Sequence, residues 1–427
     1  MDLDRYGQYK PTGAPEWFRH GSLSFARTCP FSPSARNEDD LAAELFPETE
    51  HRHSSSGRFR SAHVGYVAEE DFRERASSGG MVSWVLTQLL RTGLIDGAVH
   101  VGATADPQNE GRFFRYRVSR TEEDVRAGAK SRYYPVELSD ALRTIRSVPG
   151  RYAVVGVPCF IKAVQLLRRE DPLMRERIAF TLGLFCGHMK SARFIESMAW
   201  QMGVSVTEIH GVEFRLKDPH RPASTYTAQL TLTDGRVVQK DWWHLADGDW
   251  GAGFFQNPAC NFCDDVVAET ADISFGDAWV EPYASDGRGT NVVIARSPVL
   301  GNLVATGINE GRLKLDPVDG AFVEQTQSAG FRQRREGLAY RLCWRRSGVQ
   351  PCKRIAPDAR ALSSRRKLVY RCRSLITAWS HRVFWFARLI RRPRFYLRWA
   401  RTVLTGYHGL AYSRGRLGAI IERWGLH

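Results

Sequence analysis

Four of the eight cysteines in this 427-residue chain have a spacing that could hold a metal centre. Cys260 and Cys263 form a C-x-x-C pair, and Cys159 and Cys186 lie upstream, each just after an apolar segment. Four thiolates suit either a tetrahedral zinc ion or a 4Fe-4S cluster. From the spacing alone a third interpretation stays open, in which inert buried cysteines accompany an incomplete zinc loop.

The segments around Cys159 and Cys186 predict the elements that position these two thiols. Residues 152–157 and 178–185 are strand-like, and residues 160–169 have helical spacing, which indicates a βαβ unit with parallel strands. Because ligands of α/β sheets collect at the carboxyl ends of the strands, both thiols should lie at one edge of the sheet. Further strands are predicted at 98–101, 212–216, 271–275 and 292–295, with a hairpin at Asp234-Gly235. The predicted fold is α/β, a mixed sheet with helices on its faces.

A second candidate site is the segment Ser77-Ser78-Gly79-Gly80, which precedes a predicted helix ending near Gly93. Glycines let a phosphate approach the backbone, and a helix N-terminus offers free N–H groups and a positive dipole end. The alternative is an ordinary serine N-cap with a glycine turn. The segment Lys130-Ser131-Arg132-Tyr133-Tyr134 carries two cations and two rings, which could contact phosphate and stack on a flavin, or simply form a basic surface.

The C-terminal part of the chain is strongly basic. Residues 330–427 contain 24 Lys and Arg but 3 Asp and Glu, whereas the whole chain has a net charge of +15. An apolar stripe at helical spacing runs through this tail, formed by Leu368, Cys372, Leu375, Ile376, Trp379, Val383, Phe386 and Ile390. Three interpretations stay open: the stripe packs on the acidic body, lies on anionic lipid, or binds nucleic acid or an acidic protein. Nucleic acid is not expected, because no known nucleic-acid module is present.

Six segments in order resemble the coenzyme F420 hydrogenase/dehydrogenase beta-subunit family. They are Ser77–Gly80, Lys130–Tyr133, Gly156–Cys159, Phe185–His188, Cys260–Cys263 and Ala271–Asp277. The resemblance implies FAD, one 4Fe-4S cluster and electron transfer between the cluster and a two-electron donor or acceptor. It implies Cys159, Cys186, Cys260 and Cys263 as cluster ligands. It implies Ser77, Ser78, Gly79, Gly80, Lys130, Ser131 and Tyr133 as cofactor contacts.

Three further residues are candidate catalytic groups. His188 and Lys190 follow Cys186 closely and could lie near the flavin, although His188 could equally bond a cluster sulfur or be a plain loop residue. Asp277 could orient the site or cap a turn. With the family as a guide, four regions are predicted: an extended, poorly structured N-terminal arm (1–60), a flavin-binding subdomain (61–150), an iron–sulfur/flavin catalytic domain (151–330) and a basic helical tail (331–427), peripheral to the redox core.

The chain departs from the family in two ways. Many relatives begin with a cysteine-rich, ferredoxin-like segment, of which only Cys29-Pro30 is kept here, and the basic tail lies outside the shared core. Bacterial relatives often accompany surface-polysaccharide genes, so a role in that metabolism is an expectation and F420 need not be the substrate. The expected partner is an electron-transfer protein or a small redox substrate.

The sequence also predicts where the protein is located and leaves a second function open. With no secretory signal and no run long enough to span a bilayer, we expect a cytoplasmic protein whose tail could contact the inner face of the membrane. The rival function is a zinc-stapled, non-enzymatic binding module whose basic tail contacts anionic lipid or nucleic acid.

Overall fold

The computed structural model describes residues 1–344 and 350–415, which fold around a large mixed β-sheet. The strands are β1 Asp2–Leu3, β2 Tyr9–Lys10, β3 His51–His53, β4 Gly57–Phe59, β5 Ser61–Val67, β6 Gly97–Ala103, β7 Phe114–Ser119, β8 Tyr152–Gly156, β9 Ile178–Leu184, β10 Ile209–Leu216, β11 Thr227–Leu232, β12 Val237–Asp241, β13 Ile273–Asp277, β14 Asn291–Ala295 and β15 Leu313–Val318. The helices are α1 Leu23–Thr28, α2 Glu38–Leu45, α3 Phe72–Arg75, α4 Met81–Arg91, α5 Pro107–Glu110, α6 Glu122–Ala127, α7 Ser139–Ser147, α8 Pro158–Glu170, α9 Pro172–Arg177, α10 Arg193–Met202, α11 Pro298–Asn309, α12 Gly320–Thr326, α13 Ser328–Arg334, α14 Glu336–Trp344, α15 Ser364–Leu389 and α16 Pro393–Tyr412.

The main sheet has eight strands in the order β15-β5-β14-β13-β9-β8-β6-β7. Strands β6, β8, β9 and β13 are parallel neighbours, whereas the outer pairs are antiparallel. The predicted βαβ unit is therefore confirmed as β8-α8-β9, with Val155 opposite Leu182. The predicted mixed α/β sheet is confirmed as well.

Helices cover both faces of this sheet, as the β8 side chains demonstrate. Ala153 and Val155 join the core cluster of α4 and α11, while Val154 joins the cluster of α7, α8 and α9. Because both faces of β8 are buried, its sequence is a continuous apolar run and not an alternating one.

The main sheet does not break at residue 150, where the sequence places a domain boundary. Strands β5, β6 and β7 from 61–150 share the sheet with β8, β9, β13 and β14 from 151–330. The segment 61–150 therefore contributes to the common core and does not form a sheet of its own. A separate three-stranded sheet, β10-β11-β12, contains the predicted hairpin at Asp234-Gly235.

The expectation of a poorly structured arm over residues 1–60 is wrong. This segment forms α1, α2 and β1–β4, and α1 packs along α8. Glu38 at the start of α2 and Lys162 in α8 are both buried and form an ion pair. The Lys162 Nζ lies 3.1 Å from the Glu38 Oε1, but the geometry is not that of a hydrogen bond. Ala35 and Leu41 also pack on Leu166 of α8, so both polar and apolar contacts attach the arm to the body.

Glu38→Gln should destabilise the whole protein. Removing one partner of a buried ion pair leaves the other charge uncompensated, so we expect the free energy of unfolding to fall by about 3 kcal/mol. Urea unfolding of the full chain measures this loss. Glu48→Gln, at an exposed position of the same segment, is the control. Equal stability of the two variants would show that the Glu38–Lys162 contact carries no energy.

Within its described residues, 331–344 and 350–415, the basic tail is mostly helical but not peripheral, and the rest of the predicted tail lies outside the described residues. Phe384, Tyr396 and Ala400 are buried in the same cluster as Phe194 and Phe255 of the body. Polar contacts reinforce this packing, since the Ser380 hydroxyl accepts the Phe255 N–H at 3.0 Å. Helices α15 and α16 are therefore part of the folded core around residues 194–255.

Candidate functional site

A cavity of about 820 Å³ opens at the carboxyl ends of the parallel strands. Residues ending β8, β9 and β13 line it, together with the loop before α4 and the segment 128–134. This is the edge at which α/β sheets bind ligands, because the strand ends and the following loops converge there.

Of the four predicted cluster cysteines, Cys186 lines this cavity, and the other three lie near it in the fold. Pro158 starts α8 directly after β8, which places Cys159 in the first helical turn, and Cys186 follows β9 by two residues. Cys260 lies in a short 3-10 turn that ends at Cys263. Burial raises the pKa of all four thiols, that of Cys186 to about 12. The pKa of Cys159 rises further because the other three thiols are near enough to act on it.

Polar groups already orient this thiol cluster. The Met189 N–H donates to the Cys260 sulfur at 3.4 Å, and the Cys263 thiol donates to the Asp265 carbonyl at 3.4 Å. Arg334 of α13 donates to the Cys186 carbonyl at 2.6 Å, and its charge lowers the thiol pKa values against the effect of burial. Within residues 1–344 and 350–415, no group of three His, Cys, Asp or Glu side chains is arranged to hold a single metal ion.

The loop before α4 joins two walls of the cavity. The Ser77 hydroxyl accepts the Ser131 N–H at 2.8 Å, and the Ser78 hydroxyl donates to the Thr290 carbonyl at 3.0 Å. Ser77, Ser78 and Gly80 line the cavity, and Gly80 caps α4 with a φ of 89°, a conformation that favours glycine. The serine hydroxyls thus hold the loop in place as well as lining the cavity.

Gly79, also predicted as a cofactor contact, is not part of the cavity wall. A Cβ at this position would lie 2.8 Å from the Gly65 carbonyl oxygen and 2.9 Å from the Asn291 nitrogen. The close packing of the loop on β5 and β14 therefore requires this glycine. Substituting it would disturb the sheet, so it is not a clean test of ligand binding.

The segment 130–133 contributes two cationic side chains to the cavity wall, of which one forms an ion pair and the other does not. Lys130 pairs with Glu213 at 2.5 Å, whereas Arg132 forms no ion pair with a carboxylate among the described residues. Its guanidinium lies 5.0 Å from the centre of the Phe114 ring, and its Nε has no hydrogen bond. Burial lowers the pKa of Arg132 to about 10. Tyr133 contacts the ring of Trp250 at 4.9 Å. The sequence indicates two cations here, but only the fold shows which one is unpaired.

The three predicted catalytic residues have different positions. His188 lines the cavity, stacks on Trp250 at 4.0 Å, and has no hydrogen-bond partner on either ring nitrogen. Asp277 also lines it and accepts from Arg215 at 2.9 Å. Lys190 does not reach the wall, because its ammonium lies behind Trp250 and donates to the Phe254 carbonyl at 2.7 Å. Burial lowers the pKa of Lys190 to about 7.

The tail supplies a wall of the cavity that the sequence analysis missed. Arg373 of α15 and His408 and Tyr412 of α16 line it. Arg373 donates to the Gly251 carbonyl at 2.7 Å, and His408 contacts Asp249 at 2.8 Å. No local signal marks these residues, because their role depends on how the two helices pack on the loop 248–251.

Comparisons with known proteins agree with the resemblance noted in the sequence. A family model for the C terminus of the "Coenzyme F420 hydrogenase/dehydrogenase, beta subunit" matches residues 150–321, and the corresponding model for its N terminus matches residues 62–143. Both matches end before α13, so the cavity wall formed by α15 and α16 lies outside them.

Individual relatives are distant. The coenzyme F420 hydrogenase subunit beta of Methanosarcina barkeri is 23% identical over 270 residues, covering 62% of this chain and 84% of that protein. The coenzyme F420-dependent sulfite reductase of Methanocaldococcus jannaschii is 26% identical over 49% of this chain, and the match covers 32% of the sulfite reductase. A chain of the F420-reducing NiFe hydrogenase complex of Methanosarcina barkeri has a similar fold, with a TM-score of 0.54, 18% identity, and coverage of 70% of this chain and 99% of its own.

Proposed function

Because the chain belongs to the coenzyme F420 hydrogenase/dehydrogenase beta-subunit family, whose members are oxidoreductases, we propose that it is an iron–sulfur flavoprotein. FAD would occupy the cavity, and Cys159, Cys186, Cys260 and Cys263 would hold one 4Fe-4S cluster. The observation that carries this proposal is that Cys186 lies on the wall of the cavity that the 77–80 loop also lines. When bound, the flavin supplies hydride chemistry and the cluster supplies one-electron transfer.

The cavity fits an anionic dinucleotide with an aromatic ring system. Its volume is within the range of cofactor sites. Arg132 offers a guanidinium that has no ion-pair partner among the described residues, and a guanidinium is suited to bind a phosphate through two parallel hydrogen bonds. Tyr133 and Trp250 offer rings, and the unpartnered nitrogens of His188 can exchange hydrogen bonds with a bound group.

The thiol cluster offers four buried cysteines, the donor set of a four-iron centre. Zinc holds four thiolates about 2.3 Å from one point, which requires them to converge. The described cysteines share one buried region without converging in this way. A four-iron cluster separates its ligands more widely, and N–H donors such as that of Met189 tune such clusters by bonding their sulfurs.

The protein's own residues would orient these groups. The buried Arg215 holds Asp277 at the end of β13, so that this carboxylate faces the cavity in a fixed position. Lys190 supports Trp250 from behind and is a positioning residue in this proposal, not a catalytic one. Arg373 and Tyr412 of the tail complete the lining of the cavity. An electron-transfer protein as partner and a role in surface-polysaccharide metabolism stay predictions.

Anaerobic purification of the full chain tests the proposal. We expect a brown-yellow protein that contains stoichiometric FAD and about four iron atoms per chain, as in 4Fe-4S proteins. Metal analysis, acid-labile sulfide and chromatography of the released flavin measure the three components. A colourless protein with stoichiometric zinc would establish the zinc-stapled alternative instead.

A further inference from the structure

Helix α15 carries an exposed apolar stripe on its outer side. Leu368, Leu375, Trp379 and Phe386 of α15, with Ile390 directly after its last residue, are 38 to 58% exposed and follow one another at steps of seven, four, seven and four residues. Such steps keep the side chains on one line along a helix. We call these five residues the outer stripe. They are part of the stripe that the sequence predicts, whose Ile376 is buried.

The fold holds the outer stripe away from the core. The opposite side of α15 is buried in the body through Val369, Ile376, Phe384 and Ala387. The outer stripe therefore cannot turn inward without removing these side chains from the core. Phe395 at the start of α16 extends it, since its ring lies 5.6 Å from that of Phe386 and is 47% exposed.

Unpaired arginines border the outer stripe. Arg382, Arg391, Arg392 and Arg394 are exposed, and none of them has a carboxylate partner in the described part of the chain. The Arg382 guanidinium lies 5.3 Å from the centre of the Trp379 ring. Hydrophobic side chains, a tryptophan and flanking arginines on one helix surface are the combination that binds the interface of a bilayer containing anionic lipid.

We propose that α15 and the start of α16 bind an anionic membrane surface, with the outer stripe in the boundary between headgroups and acyl chains. No helix among the described residues is long and apolar enough to cross a membrane. The contact would therefore be parallel to the surface. A second copy of the chain is a poorer occupant, because pairing two such surfaces would bring unpaired arginines of like charge together.

Vesicle co-sedimentation of the full chain tests this proposal. Binding to vesicles of phosphatidylcholine mixed with phosphatidylglycerol should exceed binding to pure phosphatidylcholine and should weaken with salt. Leu375→Ser combined with Phe386→Ser should reduce the partition coefficient by about tenfold or more, because two inserted apolar side chains are lost. Arg391→Gln with Arg392→Gln should reduce both the affinity and its salt dependence.

Matched variants control for general effects of charge and polarity. Val237→Ser with Val299→Ser changes two apolar residues that are 51% and 46% exposed elsewhere, and Arg19→Gln with Arg360→Gln removes two exposed charges. Both pairs should bind vesicles like the unchanged protein. The proposal is overturned if the stripe variants and controls bind equally. It is also overturned if no vesicle is bound and the stripe variants instead abolish a dimer or the capture of a protein partner.

Discussion

Cys260→Ser is expected to remove the iron–sulfur absorption and reduce the iron content of anaerobically purified protein to background. The reason is that a serine hydroxyl is a poor ligand for the iron of a cluster, which is held by cysteine thiolates. Cys260 also accepts the Met189 N–H, so its loss removes an oriented ligand from the buried thiol cluster. Iron and sulfide analysis with the visible spectrum measures the effect.

Cys29→Ser is the control for this variant. Cys29 follows the last residue of α1 and is not one of the four predicted cluster ligands. Its substitution should leave iron and flavin unchanged, and far-ultraviolet circular dichroism should show that both variants are folded. The proposed ligand set is excluded if Cys260→Ser keeps its full iron content. It is also excluded if Cys29→Ser loses its iron and Cys260→Ser does not.

Arg132→Met is expected to weaken FAD binding while leaving the flavin-free protein as stable as before, or more so. A charge-assisted hydrogen bond contributes about 1.5–3 kcal/mol, which corresponds to roughly ten- to a hundredfold in affinity. Without FAD, Arg132 is a half-buried cation that forms no ion pair with a carboxylate among the described residues, and replacing such a group by an apolar one removes a desolvation cost.

Weaker FAD binding together with unchanged or higher stability distinguishes an arginine that binds the ligand from one that supports the fold. Flavin titration of the flavin-free protein gives the affinity, and thermal unfolding gives the stability. Arg115→Met, at a half-exposed position on the edge strand β7 that pairs with Glu110, is the control and should change neither quantity much. If Arg132→Met unfolds more readily and binds FAD normally, the guanidinium supports the fold and the phosphate contact lies elsewhere.

The sequence by itself determined the strand-helix-strand unit at the centre of the candidate site. Two apolar runs, each followed by a cysteine, predicted β8-α8-β9, because a strand buried on both faces has a recognisable composition. The helix predicted over residues 160–169 begins two residues earlier, at Pro158. The ordered motifs also indicated the family, which the comparisons confirm over residues 62–143 and 150–321.

Only the tertiary structure decided which residues face the cavity and which support it. Lys130 and Arg132 are equivalent in the sequence, yet Lys130 is neutralised by Glu213, 83 residues further along the chain. Lys190 follows Cys186 closely but lies behind Trp250. In the same way, residues 1–60 and the basic tail are rich in polar or charged residues, yet contacts with partners such as Lys162 and Phe255 hold them on the body. Charge pairing and burial are set by contacts between distant parts of the chain, and local composition does not encode them.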